Sequence, residues 1–408
     1  MKSIVTLGGK GSRLKEITGD IPKPIFPIQG RSPLQRICEY LYKNKINNCI
    51  WLCGYMYESF VLYAEDMRKK YKLDITVLFE EHPMGECGRL RSFKLNEDSD
   101  YIFLSGDLIF DIDLDRALNF HRNNQSDLTL FTHTSTHAYD SDCIIENNQR
   151  SIYKYDFKTD IQRTKGSFLG NSGIYIFNGK KFNYSISGLN LSEISVFKDI
   201  FPVFKSNNYR VMSYNTSEYI HDIGTPKRFE SSTNALRNNL PSSKSYKNKQ
   251  SCLFLDRDGT LIECLEGEYI IDNSQIKLKI DKIIKIAAIS TKYNIVEMIT
   301  NQPSISMGKI KEQDLILLNG HIINMCMEYG LKIDAVRYCP HHPHSGFEGE
   351  ILELKRTCFC RKPSPGLLLE AIYEKNISAC DSLMIGDSYR DEEAAVSLGI
   401  EYKDINEL

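Results

Sequence analysis

Two carboxylates spaced two apart, Asp256 and Asp258, close the apolar run Cys252–Leu255 and open Asp-Arg-Asp-Gly-Thr. A short apolar run reads as a buried parallel strand, and residues where such a strand ends and turns face an open crevice. Paired carboxylates there suit phosphoryl transfer. One attacks phosphorus, its neighbour shuttles the leaving group's proton, and Mg²⁺ offsets their shared negative charge. Three further pieces follow. Ile299-Thr300-Asn301 offers a hydroxyl and an amide to a phosphate oxygen, and Arg361-Lys362-Pro363 supplies cationic charge. Met384-Ile385-Gly386-Asp387-Ser388 ends an apolar run on a carboxylate suited to a hard cation. Any one aspartate could be a helix cap or turn former, but the four pieces in this order point to one reaction.

Before Arg361 lies Cys339-Pro-His341-His342-Pro-His344, followed by Cys358-Phe-Cys360. Two short ligand pairs at the ends of a loop can close a tetrahedral Zn²⁺ site of Cys₃His type from Cys339, His341, Cys358 and Cys360, with His342 and His344 as spare candidates. Four protein ligands leave no open coordination position. The zinc would therefore be structural, pinning the loop beside Arg361 and Lys362.

Asp-x-Asp-Gly-Thr, Thr-Asn, Lys and Gly-Asp-Ser-x-x-x-Asp together resemble the haloacid-dehalogenase superfamily. The resemblance implies that Asp256 is the nucleophile and Asp258 the acid/base. It also implies Mg²⁺ on Asp256, the Asp258 main-chain carbonyl and Asp387, with Thr300 and Lys362 steadying the phosphoryl group and Asp391 supporting the site. The run from Tyr-Cys-Pro-His-His-Pro to Cys-Phe-Cys-Arg-Lys-Pro is similar to the D-glycero-D-manno-heptose-1,7-bisphosphate 7-phosphatases over roughly 251–400. The histidinol-phosphate phosphatases share much of it. That family likeness implies Arg361 on the substrate's remaining phosphate or sugar. Pro303-Ser304 departs from the family's usual Ser-Gly.

A second constellation stands near the start. Leu7-Gly-Gly-Lys-Gly-Ser-Arg13-Leu14 follows an apolar run, where glycines admit a triphosphate to backbone amides and Arg13 adds charge. It fits neither a Walker A loop nor Gly-x-Gly-x-x-Gly. Lys23 is presented between Pro22 and Pro24, Asp107 ends Ser105-Gly106-Asp107, and Asp222 lies in His221-Asp222-Ile223-Gly224-Thr225-Pro226. Two aspartates at strand ends could hold one Mg²⁺ between an α-phosphate and an attacking sugar phosphate. The set resembles the sugar-1-phosphate nucleotidyltransferases over about 1–230. The resemblance implies Gly9, Gly11 and Arg13 at the nucleotide, Lys23 at phosphate, Asp107 with Asp222 at Mg²⁺, and Asn171 at the sugar. No Glu-Lys-Pro is present, and Lys158 stands in as the sugar-phosphate lysine. Gly85-Glu86-Cys87-Gly88-Arg89 replaces the small residues usual near the base.

These residues need scaffolds. Short apolar runs at Ile4–Leu7, Cys49–Cys53, Ile75–Glu80 and Tyr101–Leu104 alternate with helix-compatible stretches, the pattern of a parallel sheet covered on both faces. Asp127–Phe131 and Gly173–Phe177 would extend it. The alternation restarts with Leu253–Leu255, Ile295–Ile299, Ala335–Tyr338 and Ser382–Ile385. Between them Asn238–Gln250 has almost no apolar content and reads as an exposed linker. The expected architecture is α/β: two doubly wound parallel-sheet domains, a nucleotidyltransferase Rossmann-like domain over 1–237 and a haloacid-dehalogenase-like domain over 251–408, with a linker at 238–250.

At 408 residues the chain has room for two or three cores, and 41% hydrophobic with 25% charged residues is ordinary globular protein. A net charge of −2 argues against nucleic-acid or anionic-membrane partners and leaves small-molecule substrates. The first apolar run is too short for a signal-peptide core, and 12 scattered cysteines fit a reducing cytosol with one metal cluster. The two resemblances imply consecutive steps: removal of the 7-phosphate from a heptose bisphosphate, then nucleotidyl transfer to heptose 1-phosphate, with GDP-heptose the preferred product. Two alternatives stand beside this. One is a mannose 1-phosphate guanylyltransferase fused to another sugar or histidinol-phosphate-type phosphatase. The other is an active phosphatase carrying a non-catalytic sensing module.

Overall fold

Apolar alternation becomes two sheets in the computed structural model, which describes residues 1–408 apart from 10, 136–140, 148, 161–163, 165 and 266. The first contains β1 (Lys2–Thr6), β2 (Asn48–Cys53), β3 (Asp74–Phe79), β4 (Asp100–Ser105), β6 (Leu128–Thr134), β7 (Cys143–Glu146), β8 (Ile152–Asp156), β9 (Leu169–Asn178) and β10 (Val211–Asn215). A separate two-stranded ladder pairs β5 (Leu108–Phe110) with β11 (Ile220–Asp222). The main path runs β10-β6-β9-β4-β1-β2-β3. Strands β1 to β4 pair in parallel as expected. Strand β9 instead runs antiparallel to β4, which makes the sheet mixed. The hairpin β7–β8 is likewise antiparallel, because residues 147–151 are too few for the crossover a parallel pair needs.

The helix Pro33–Lys43 illustrates how the sequence builds this core. The Ser32 hydroxyl accepts from the Gln35 N–H at 3.0 Å, Pro33 sits in the first turn, and Leu34, Ile37, Cys38 and Leu41 form the buried stripe. That stripe packs with Val5, Trp51, Phe60 and Ile102 in one apolar cluster.

The second sheet is all parallel, in the order β14 (Ala335–Cys339), β13 (Ile295–Asn301), β12 (Cys252–Leu255), β15 (Leu383–Gly386), β16 (Glu401–Asp404). Strand β12 is central, flanked by β13 and β15. The chain reverses direction of progression there, so the carboxyl ends of these three strands open on one crevice.

The chain forms two compact units that differ from the expected division. One comprises Met1–Phe131, Ser172–Tyr214 and Glu218–Ser245; the other comprises Thr132–Asn171, Asn215–Ser217 and Tyr246–Leu408. The hairpin β7–β8 thus belongs with the second unit. There Arg150 pairs with Glu146 at 2.5 Å and with Glu374 at 3.4 Å, and the Thr134 hydroxyl donates to the Ile333 carbonyl at 2.9 Å. Nor is 238–250 an exposed linker throughout. Leu240–Ser243 is helical, and Pro241, Tyr246 and Gln250 are buried. The polarity that reads as linker is met by specific bonds: the Tyr246 hydroxyl accepts from the Ser217 N–H at 2.8 Å, and the Asn376 amide donates to the Tyr246 carbonyl at 2.8 Å. Among the described residues no helix is long and apolar enough to cross a membrane.

Candidate active sites

Asp256 follows β12 directly and is only 6% exposed. Its Oδ1 receives the Lys362 ammonium at 2.6 Å, and the same ammonium donates to Asp391 Oδ1 at 2.5 Å and the Ile299 carbonyl at 2.7 Å. Burial raises the Asp256 carboxyl well above the carboxylate range, with Asp391 and Asp258 adding to the effect and Lys362 opposing it. Burial alone would lower Lys362, but Asp256 and Asp391 outweigh it and hold the ammonium charged. Asp256, Asp387 and Asp391 each place one oxygen within 4.8 Å of the others, close enough to share a cation. Asp391, however, has Oδ1 on Lys362 and Oδ2 on the Ser388 hydroxyl at 2.8 Å, which fits support better than coordination. Gly259 is required here. Its φ is +80°, and a Cβ would lie 1.8 Å from Asp387 Oδ2.

Asp258 is held by the fully buried Arg257, whose Nε and Nη2 stand 3.0 and 2.9 Å from its carboxylate. The Gln302 amide adds a third donor at 2.6 Å. Thr300 is buried at the same crevice, its hydroxyl accepting from Gln302 at 2.9 Å. Asn301 differs from expectation. Its Oδ1 accepts from the Lys362 N–H at 3.0 Å and its Nδ2 donates to the Lys362 carbonyl at 2.9 Å, so the amide grips the lysine's backbone. Arg361 donates to the His341 carbonyl at 3.3 Å and stays partly exposed.

Cys339, His341, Cys358 and Cys360 converge, one ligand atom each, within 4.8 Å. The sulfur pairs are 3.2–3.5 Å apart, and His341 Nδ1 is 3.2 Å from Cys360 Sγ. A tetrahedron with zinc–sulfur arms of about 2.3 Å has edges of about 3.8 Å, so the donor set fits zinc after an outward shift of a few tenths of an ångström. Neither spare histidine joins: the His342 ring instead accepts from the His344 N–H at 3.1 Å.

In the first unit, β1 leads into the glycine loop, with Lys10 outside the described residues. Gly11 adopts φ +61°, and a Cβ there would press on the Lys23 stem at 3.2 Å. Lys23 reaches Asp107 Oδ2 at 2.8 Å, and the Ser105 hydroxyl holds the other oxygen at 2.8 Å. The β5–β11 ladder brings in Asp222, which pairs with Leu108, while the Ile223 N–H donates to the Asp107 carbonyl at 3.2 Å. Arg228 contacts Asp222 at 3.1 Å, and the Arg13 guanidinium lies 4.0 Å from where a Gly224 Cβ would stand. Gly9, Gly11, Arg13, Lys23, Asp107 and Asp222 all fall in this unit. Lys158 and Asn171 fall in the other, where their N–H groups meet Asp142 at 2.8 and 2.9 Å.

Several contacts escaped sequence reasoning. Arg257 and Gln302 on Asp258 carry no spacing signal. The segment Glu86–Arg89 has a structural explanation: Glu86 Oε2 accepts from the Ser195 hydroxyl and Val196 N–H, both at 2.9 Å, and so caps the helical turn Val196–Ile200.

The nucleotidyl transferase family profile matches residues 2–239, and the HAD-hydrolase-like profile matches 359–402. A D-glycero-β-D-manno-heptose-1,7-bisphosphate 7-phosphatase of Yersinia pestis is 35% identical over 149 residues, 36% of this chain and 76% of the relative. A mannose-1-phosphate guanylyltransferase of Mycobacterium tuberculosis is 29% identical over 245 residues, 59% of this chain and 66% of the relative. A D-glycero-α-D-manno-heptose 1-phosphate guanylyltransferase of Aneurinibacillus thermoaerophilus is 26% identical over 238 residues, 58% of this chain and 99% of the relative.

Proposed function

The chain belongs to the nucleotidyl transferase family and, through its C-terminal part, to the HAD-like hydrolases, and on that premise we propose a bifunctional enzyme of nucleotide-activated heptose synthesis. The observation that carries this reading is the pairing on one chain of two relatives with consecutive chemistry. Removing the 7-phosphate from a heptose 1,7-bisphosphate leaves the 1-phosphate that a heptose 1-phosphate guanylyltransferase consumes.

In the phosphatase step, an Asp256 oxygen attacks the 7-phosphorus and the bond from phosphorus to the sugar oxygen breaks. Asp258 gives that oxygen its proton. Water then attacks the aspartyl phosphate, Asp258 takes the water's proton, and phosphate leaves. Lys362 and Thr300 steady the phosphoryl oxygens, Asn301 holds the Lys362 backbone, and Arg361 meets the far end of the substrate. Asp256, Asp387 and the Asp258 carbonyl would hold Mg²⁺, which supplies charge neutralisation to a buried acidic cluster. Cys339, His341, Cys358 and Cys360 would hold a structural Zn²⁺.

In the transfer step, the sugar-phosphate oxygen attacks the α-phosphorus of GTP and pyrophosphate leaves. Gly9 and Gly11 admit the triphosphate to the backbone, and Arg13 and Lys23 neutralise it. Asp107 and Asp222 would hold Mg²⁺. No protein nucleophile is needed, because positioning and charge suffice.

The two relatives are named for opposite anomers, so the consecutive reading requires one anomer to pass both steps. The test incubates the full chain with the α- or β-bisphosphate, Mg²⁺ and each nucleoside triphosphate. Phosphate, pyrophosphate and a guanosine-linked heptose should all appear with one anomer. Asp107→Asn should stop at heptose 1-phosphate. Phosphate release without sugar nucleotide from any triphosphate would overturn the reading. Mannose 1-phosphate outcompeting heptose 1-phosphate would favour the second reading, which the mycobacterial relative motivates.

A further inference from the structure

Gln302 is 2% exposed, and nothing in the mechanism above uses it. Its side-chain amide nevertheless bridges two groups that do take part, standing 2.6 Å from Asp258 Oδ2 and 2.9 Å from Thr300 Oγ1. An ionised carboxylate only accepts, so the atom facing Asp258 is the amide nitrogen, and its two hydrogens serve the two partners. The amide is itself fixed from behind. The Gln302 N–H donates to the Cys339 carbonyl at 2.7 Å, one step beyond the β13–β14 register pair Asn301 and Cys339. Cys339 is a member of the cysteine–histidine cluster.

Arg257 also binds the Asp258 carboxylate, but through adjacent nitrogens of one guanidinium on one side. A carboxylate held from one side can still pivot about its Cα–Cβ bond. The second donor, from a different strand, stops that pivot. Four contacts reach the carboxylate, two on each oxygen with Arg257 Nη2 shared between them, so the proton it must carry takes the place of one of these donors. Asp258 also retains 26% side-chain exposure, so that proton can reach a substrate.

We propose that Gln302 is a positioning residue of the phosphatase, locking the Asp258 carboxylate in the orientation from which it protonates the leaving oxygen. This rests on reading Asp258 as the acid/base. In the step concerned, the bond from phosphorus to oxygen breaks as the bond from Asp256 to phosphorus forms. A sugar alkoxide leaving group needs a proton at that moment, whereas p-nitrophenolate does not. Mispositioning the acid should therefore slow one substrate and spare the other. A general loss of packing would slow both.

The test measures kcat/KM, which ends at departure of the first leaving group, for the heptose bisphosphate and for p-nitrophenyl phosphate on the full chain. Gln302→Met, close in volume, should lose about tenfold to a hundredfold on the sugar substrate, part of the 10²–10⁴ typical of general acid–base catalysis, and stay within about threefold on p-nitrophenyl phosphate. Gln302→Asn keeps an amide but retracts it by one methylene and should give the same split if the methionine variant folds poorly. In an Asp258→Asn background, Gln302→Met should add nothing. Equal losses on both substrates, or no loss on either, would overturn the proposal. If Asp258→Asn itself slows both substrates equally, the acid/base reading fails instead, and the two failures are distinct.

Discussion

Lys362→Met would remove an ammonium that stands 2.6 Å from Asp256 and 2.5 Å from Asp391, all three side chains being less than a tenth exposed. Taking one partner from a buried pair costs roughly 3–5 kcal/mol, because the charge left behind has no solvent to turn to. Here two carboxylates lose one cation, and the cheaper outcome is for one of them to bind a proton. Asp256 is the candidate. Burial already raises it, Asp391 and Asp258 raise it further, and Lys362 is the opposing influence. Its folded pKa lies above its unfolded value, so its contribution to stability is present at low pH and is lost as pH rises toward the folded pKa. Without Lys362 that loss should continue to higher pH, so melting should separate from wild type more at pH 9 than at pH 6. Activity should suffer more than stability, since a neutral carboxyl is no nucleophile and the phosphoryl group loses a contact of the kind worth about 10²–10³ in rate. The assay is phosphate release from the heptose bisphosphate by the full chain, beside guanylyl transfer to heptose 1-phosphate supplied directly. Phosphatase kcat/KM within tenfold of wild type would refute the reasoning, as would equal loss of both activities.

Glu297 is fully buried between Lys375 at 2.5 Å and Arg337 at 2.9 Å. Burial would raise its carboxyl, but the two cations reverse the sign and bring it from 4.5 to about 2. Its contribution is therefore present above the unfolded value and lost as pH falls between those limits, about 3 kcal/mol at 1.36 per pH unit. Wild type should lose about 2 kcal/mol of that urea stability from pH 6 to pH 3, the remainder going only below pH 3, and Glu297→Gln should lose distinctly less; equal slopes would refute the assignment. Cys358→Ala should release the zinc and lower phosphatase melting while nucleotidyl transfer persists, and zinc retained in stoichiometric amount would show that the ligand set is wrong.

What was legible in the sequence follows from how each feature is encoded. Asp256 and Asp387 could be placed because a buried parallel strand announces itself as an apolar run, and the crevice lies where such runs end. The cysteine–histidine cluster could be placed because metal ligands come in short pairs whose spacing survives folding. Asp107 and Asp222 are singled out by residue type at strand ends, and the β5–β11 ladder that carries Asp222 has no such signal. The misses share one cause: a long-range bond to a side chain leaves no periodic trace. Asn301 looks like a phosphate ligand until Lys362, 61 residues on, occupies its amide at both ends. Residues 238–250 look like a linker because polarity is counted and partners are not, yet Tyr246 and Gln250 find theirs at Ser217 and Asn376. The largest displacement, the hairpin β7–β8 joining the second unit, includes a long-range charge pair. Arg150 reads as one surface arginine among many, and only the fold sets it against Glu374, whose other partner is the buried Arg337. A buried arginine must find anions or unfold the site around it, so residues far apart in sequence are recruited by electrostatic need. For the same reason Gln302, which carries no charge and completes no motif, is the side chain whose role only the three-dimensional arrangement discloses.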